Sequence, residues 1–160
     1  MDTEEVIMKR TKNSRTQLGF TLIELMIVIA IIGILIGAAV FTFRAAQKSG
    51  NETATLQTMK TIAAIQIQYF NQHGRSFGTF EQLMKDAGLS SKFQGNPPLV
   101  DGYIYTLKVV PKSPTSSSSY TLNADPQDAG SGTNHFYIDS GDSNIHLNPT
   151  QSAGTSDPVQ

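Results

Sequence analysis

The sequence predicts an α+β protein in which a long N-terminal helix carries a small antiparallel sheet. Three observations predict it. Phe20 to Phe43 is an apolar run, with 19 of its 24 positions apolar. Leu56, Met59, Ala63 and Phe70 recur near helical spacing, with Ile62, Ile65 and Tyr69 beside them. From Tyr103 onward, short aromatic and β-branched runs are divided by turn residues.

The apolar run sets the first element. At ~1.5 Å per residue, 24 residues make a helix of ~36 Å, enough to cross a hydrocarbon core of ~30 Å with some tilt. A cleaved secretory signal has a shorter apolar region, of about 7–15 residues. Ala38-Ala39-Val40 is a poor cleavage site, so a retained anchor is the better reading. Lys9, Arg10, Lys12 and Arg15 lie just before the run, with Asp2, Glu4 and Glu5 ahead of them. Basic residues stay on the cytoplasmic side, which sends the C-terminal part across the membrane. Met8 is a second candidate start, giving a leader MKRTKNSRTQLG.

Glu24 interrupts the run. A charge at the bilayer centre costs roughly 2.5–3.5 kcal/mol or more, and less near an interface. Two readings stand. Glu24 lies near the cytoplasmic interface and reaches water, or it meets a positive partner within the membrane. No basic residue lies between Phe20 and Phe43, so that partner would come from elsewhere, and a free amine made by cutting before Phe20 would suit.

The string Gly19-Phe20-Thr21-Leu22-Ile23-Glu24, behind a short basic leader and ahead of an unbroken apolar helix, resembles the class III signal sequences of type IV pilins and type II secretion pseudopilins. The resemblance implies that a prepilin peptidase cuts between Gly19 and Phe20 and methylates the new amine. Residues 1–19 would then be a cleaved leader and 20–43 a transmembrane and filament-core helix. It also implies that Glu24 docks an incoming subunit, its carboxylate neutralising the Phe20 amine of a neighbour. A buried carboxylate and a buried ammonium are each costly, and pairing relieves both. The implied partners are the peptidase, other copies and minor pilins in a filament, and an inner-membrane assembly platform. The implied location is the bacterial inner membrane, with the head outside, and then the filament.

Gly33 and Gly37 form a small-xxx-small pattern that lets helices approach closely, although glycine is also common in membrane helices. The family often has proline where this chain has Phe41, which leaves open whether the helix unwinds there.

The helix is expected to continue as an amphipathic segment over residues 44–72, giving ~80 Å in all. Gly50 is its one weak point. Gln57, Thr58, Lys60 and Gln66 fill the polar side. The methionine and aromatic positions read as core rather than cofactor contacts. Gly74 suits a helix C-cap, and His73 an ordinary role at a helix end. TFEQLMKDA, Thr79 to Ala87, reads as a short helix with Thr79 as cap, Gln82 as capping-box partner and Gly88 as stop. The stretch Tyr69 to Leu83, with its tyrosine, Gly74-Arg75 turn and short helix, again resembles pilins and pseudopilins.

Four strands are expected: Tyr103–Val110, Tyr120–Ala124, His135–Asp139 and Asn144–Leu147. Their order resembles the sheet of pilin-like heads, so residues 73–147 form the α+β head. Ser113 to Ser119 is a low-complexity hairpin loop. Residues 148–160 have few apolar side chains and read as a flexible tail.

Composition bounds the function. Without cysteine there are no disulfides and no thiolate metal sites. Charged residues are 16%, against about 25% in soluble proteins. The net charge of −1 and the lack of a basic cluster beyond the leader leave no phosphate footprint for nucleic acid. There is no P-loop, G-x-S-x-G, H-E-x-x-H or cysteine nucleophile, so no enzyme is expected. Asp125, Asp128, Asp139 and Asp142 lie in or beside loops, and hard oxygen ligands suit calcium, which the resemblance to major pseudopilins makes the one cofactor candidate. Aspartate is also an ordinary turn former. The leading function is a structural filament subunit of a pilus or secretion pseudopilus. The competing classes are a DNA-binding or adhesive tip pilin and a signal-anchored periplasmic enzyme or sensor.

Overall fold

A computed structural model of the chain describes residues 19–160. The basic leader cluster, Met8 and most of the expected leader lie outside the described residues. The chain divides into two compact units, one ending at Ala39 and one running from Val40 to Gln160.

Helix α1, Leu22–Gln72, is assigned without a break through Phe41 and Gly50. No proline interrupts its backbone ladder. Its segment up to Gln47 is exposed along its whole length, apolar side chains included. The helix is long and apolar enough to cross a membrane by length and composition. It ends where the sequence predicts. Gly74 takes φ +62° and the Arg75 amide donates to the Phe70 carbonyl at 3.0 Å, which closes the last turn as a Schellman motif does. His73 stacks on Tyr69, with ring centroids 3.8 Å apart.

Within the second unit, the buried face of α1 is Thr55, Met59, Ile62, Gln66 and Tyr69, spaced four, three, four and three. These pack into a core with Leu83, Phe93, Tyr103, Tyr105, Leu122 and Phe136. Gln66 departs from the sequence reading, which set it on the polar side. It is fully buried, because its side-chain amide is satisfied. Its Nε2 donates to the Gly78 carbonyl at 2.7 Å, and its Oε1 accepts from the Gly78 amide at 3.0 Å. A buried amide is tolerated when both its ends are bonded.

Helix α2, Phe80–Asp86, begins with the expected capping box. The Gln82 amide donates to Thr79 Oγ1 and the Thr79 amide to Gln82 Oε1. Gly88 ends it at φ +74°, with the Leu89 amide donating to the Leu83 carbonyl and both leucines in the core. A 3₁₀ turn follows over Ser91–Phe93.

The sheet is a five-stranded antiparallel meander in sequence order: β1 Leu99–Val100, β2 Tyr103–Val110, β3 Ser119–Pro126, β4 His135–Asp139 and β5 His146–Asn148. Alternation places Tyr103 and Tyr105, then Tyr120, Leu122 and Ala124, then Phe136 and Ile138 on the buried face. Tyr105 pairs with Ala124, so a large ring lies opposite a small side chain. The sequence reading lacked β1. It pairs with β2 through the two-residue turn Asp101-Gly102, whose residues both take positive φ, 52° and 79°. That is the conformation a tight hairpin turn requires, and Asp-Gly is a pairing that supplies it.

Residues 148–160 also differ from the expectation of a flexible tail. The segment returns along β5. The Leu147 amide donates to the Pro158 carbonyl, and the Gln160 amide to the Ile145 carbonyl, both at 2.9 Å. His146 pairs with Val159 in an isolated antiparallel bridge, and Ala153 is buried. Backbone pairing holds the segment where its side chains offer little to bury.

Candidate assembly site and head contacts

Gly19 and Phe20 lie just ahead of α1 in non-helical backbone, and both are exposed. The bond between them is therefore free of the helix ladder. Glu24 sits in the first turn, near the residues expected to be processed.

Glu24 has a partner that the sequence reading missed. Its Oε2 accepts from the Thr21 amide at 2.9 Å and from the Thr21 hydroxyl at 2.8 Å. The Glu24 amide in turn donates to Thr21 Oγ1 at 3.2 Å. This is a second capping box, T-x-x-E, of the kind read correctly at Thr79. The signal was present in the sequence. At the head of an apolar span the charge of Glu24 is the dominant signal, and it masks the residue's place as the third of a helix. The carboxylate thus satisfies a terminal amide of its own helix and also offers negative charge at the helix N-terminus, where it is favoured.

The four aspartates weighed for calcium are not brought into one site. Asp125 Oδ1 contacts His135 Nδ1 at 2.6 Å and accepts from Ser152 Oγ at 2.7 Å. Asp128 Oδ1 accepts from the amides of Gly130 and Ser131 and from the Ser131 hydroxyl. These bonds hold the Asp128 carboxyl below its ordinary range. Asp139 accepts from the amides of Gly141 and Asp142 and from the Tyr137 hydroxyl. Burial pushes its carboxyl up, but those bonds and the nearby His146 outweigh burial and bring it below its ordinary value. Asp142 accepts from the Asn144 amide and faces His146 Nε2 at 3.2 Å. Each aspartate orders a turn or orients a histidine, and among the described residues no group of three or more histidine or acidic side chains is placed to hold a metal.

Two head contacts had no sequence signal. Glu52 reaches from α1 to the β3–β4 loop, where Oε1 accepts from the amides of Thr133 and Asn134 and Oε2 from the Asn134 side chain. Asn51 Nδ2 donates to the Ser131 carbonyl at 2.8 Å beside it. The Tyr103 hydroxyl donates to the Asn134 carbonyl, and Gly132 lies so close to that ring that a Cβ there would collide with it. The second contact is His146, 5% exposed, which has Nδ1 2.7 Å from the Asp157 carbonyl and Nε2 toward Asp142.

A family profile described as the prokaryotic N-terminal methylation motif matches residues 14–40. Neither the curated proteins nor the solved structures compared with the chain gave a match. The matched span contains Gly19, Phe20, Glu24 and most of the apolar run. A signal of this kind implies processing by a peptidase and assembly with other pilins. Residues 14–40 are therefore a prepilin-type methylation motif, which supports a prepilin-like reading of the chain, and a long helix and an antiparallel sheet lie behind it.

Proposed function

We propose that the chain is a structural subunit of a type IV pilus or a type II secretion pseudopilus. Prepilin peptidase cuts the exposed Gly19–Phe20 bond and methylates the Phe20 amine. The segment 20–43 then holds the subunit in the bacterial inner membrane, with the head on the outer side. An assembly platform moves it into a helical filament among copies of itself and minor pilins. The role is mechanical, and no step of it needs catalysis by this chain.

One observation carries this reading. The apolar segment inside the methylation motif is exposed throughout and bears a single carboxylate, at Glu24. Exposed apolar surface of that size calls for lipid or neighbouring helices around it. Cutting before Phe20 adds an ammonium at the head of the same segment. In apolar surroundings that ammonium needs a carboxylate, and the Glu24 of a neighbour supplies one. Assembly thereby covers the apolar surface and pairs the charges together.

The reading is tested by shearing cells that make the full chain and separating fibres from membranes. The subunit is expected in both fractions, and in fibres only when the host has prepilin peptidase. A chain found solely as a membrane monomer, in a host that assembles other pilins, contradicts the proposal.

A further inference from the structure

The base of the head holds a cleft that the filament role does not use. Its volume is about 410 Å³, and it lies between Lys48 on α1 and the β3–β4 loop with the strand residues that flank it. Three polar groups in its lining have free capacity. Lys48 is half-buried and makes no ion pair among the described residues. His135 is fixed through Nδ1 by Asp125, which leaves Nε2 as the ring's free hydrogen-bonding atom. Asp128 uses Oδ1 for its turn and leaves Oδ2 unbonded, with the Lys48 charge in electrostatic reach. The nearby carboxylates are already engaged, Asp125 by His135 and Ser152, and Glu52 by Thr133 and Asn134.

The cleft's position on α1 narrows the occupant. Phe41 and Phe43, in the same compact unit, are 79% and 70% exposed, and they close the apolar run. Lys48 follows Phe43 by five residues, or about 7.5 Å of helix. The headgroup layer on each side of a bilayer is about 5–7.5 Å deep. If the span ends at Phe43, as the reading above has it, the cleft opens at headgroup depth. Arg44, one turn before Lys48, adds a second cation there.

The charges narrow it further. A purely anionic headgroup would meet Asp128. A headgroup with phosphate at one end and a primary ammonium at the other meets a matching partner at each. We propose that this cleft binds the headgroup of a zwitterionic aminophospholipid, its phosphate between Lys48 and His135 and its ammonium against Asp128. The contact would seat the subunit while it waits in the membrane, and extraction into a filament would break it.

Native mass spectrometry of the full chain in mild detergent tests this, with phosphatidylethanolamine, phosphatidylglycerol and phosphatidylcholine of equal acyl length in competition. The wild type is expected to retain the ethanolamine lipid at least about fivefold over the others, as one charge-assisted bond allows. Phosphatidylcholine is the discriminating control, since its quaternary nitrogen has no N–H to donate. Lys48→Gln, which removes the cation but keeps a long polar side chain, should cut retention about tenfold. Asp128→Asn keeps the oxygen that orders the turn and should erase the preference over phosphatidylglycerol. Equal retention of the three lipids by the wild type, or no loss in Lys48→Gln, overturns the proposal. Carbonate extraction of the same protein reports separately on the anchor, so failure of the cleft and failure of the membrane reading are distinguishable.

Discussion

Thr21 and Glu24 bond each other reciprocally at the start of α1, the carboxylate taking the Thr21 amide and the Thr21 hydroxyl taking the Glu24 amide. Glu24 therefore has two separable properties: it caps its own helix, and it carries the only charge of the apolar run. Glutamine retains the first and loses the second, because a side-chain amide oxygen still accepts from Thr21. Glu24→Gln is expected to keep a normal helix start yet enter fibres beside wild-type subunits about tenfold less well, roughly as Glu24→Ala does. Fibre incorporation measured with tagged subunits checks it. Wild-type incorporation of Glu24→Gln, with loss in Thr21→Ala, would assign the residue to capping alone.

Gln66 and Gly78 predict a stability effect. Gln66→Leu fits the apolar face but leaves the Gly78 amide and carbonyl buried without partners, at about 1–3 kcal/mol for each group. Gly78→Ala strains the same place, since a Cβ would lie 3.0 Å from both Tyr69 and Leu83. Denaturant unfolding followed by tyrosine fluorescence, with the chain in micelles, should show a lower midpoint for both. An unchanged midpoint for Gln66→Leu would mean that the amide pair adds nothing.

How far the fold could be read ahead of the structure follows from the range of each signal. The Thr79–Gln82 cap, the Gly74 and Gly88 stops and the inward alternation of β2 and β4 are local patterns, and they were legible. Gln66 was not, because its burial depends on a backbone group twelve residues away across a turn. The tail was misread for a related reason. Its order comes from backbone bonds to β5 and from side-chain bonds to residues distant in sequence, such as Ser152 to Asp125 and Ala153 to Asn123, which composition does not mark. Glu52 was an unremarkable helix carboxylate until the β3–β4 loop came to it. At the start of α1, the Thr21–Glu24 partnership was hidden because the carboxylate stands at the head of an apolar span, where its charge is the stronger signal.

The β3–β4 loop rests on Glu52. Glu52→Ala removes the acceptor for two backbone amides and one side-chain amide, and the loss is expected to be about 1–3 kcal/mol. Gly132→Ala should free the same loop by collision with Tyr103. Limited proteolysis, cutting between residues 127 and 134, should be faster in both variants. Equal cutting rates would show that the loop is held by other contacts.

His146 makes the tail pH-dependent. The Asp157 carbonyl bonded to Nδ1 raises its pKa above the ordinary 6.5, burial opposes this, and Asp142 and Asp139 reinforce it. A neutral ring has one N–H and can donate to only one of its two partners, whereas the imidazolium donates to both. The protonated form is thus favoured in the folded state. Its contribution is complete below about pH 6.5 and is lost as pH rises through the higher folded value. Asp139 lies below its ordinary value, and the Tyr137 hydroxyl beside the ring is pushed up to about 12, so neither titrates in that window. After correction for intrinsic rate, amide exchange at Leu147 and Gln160 should be several-fold faster near pH 9 than near pH 5.5, and His146→Gln should remove the difference. A wild-type tail equally protected at both values would contradict it.

The most direct test of the central claim, that residues 14–40 are processed at their glycine and kept as a helix, is the intact mass of the protein extracted from membranes of a host with active prepilin peptidase. The mass of a chain running from Phe20 to Gln160 with one added methyl group is the predicted result. A chain that still carries Gly19 and the residues before it, or one cut beyond Val40, would contradict the account.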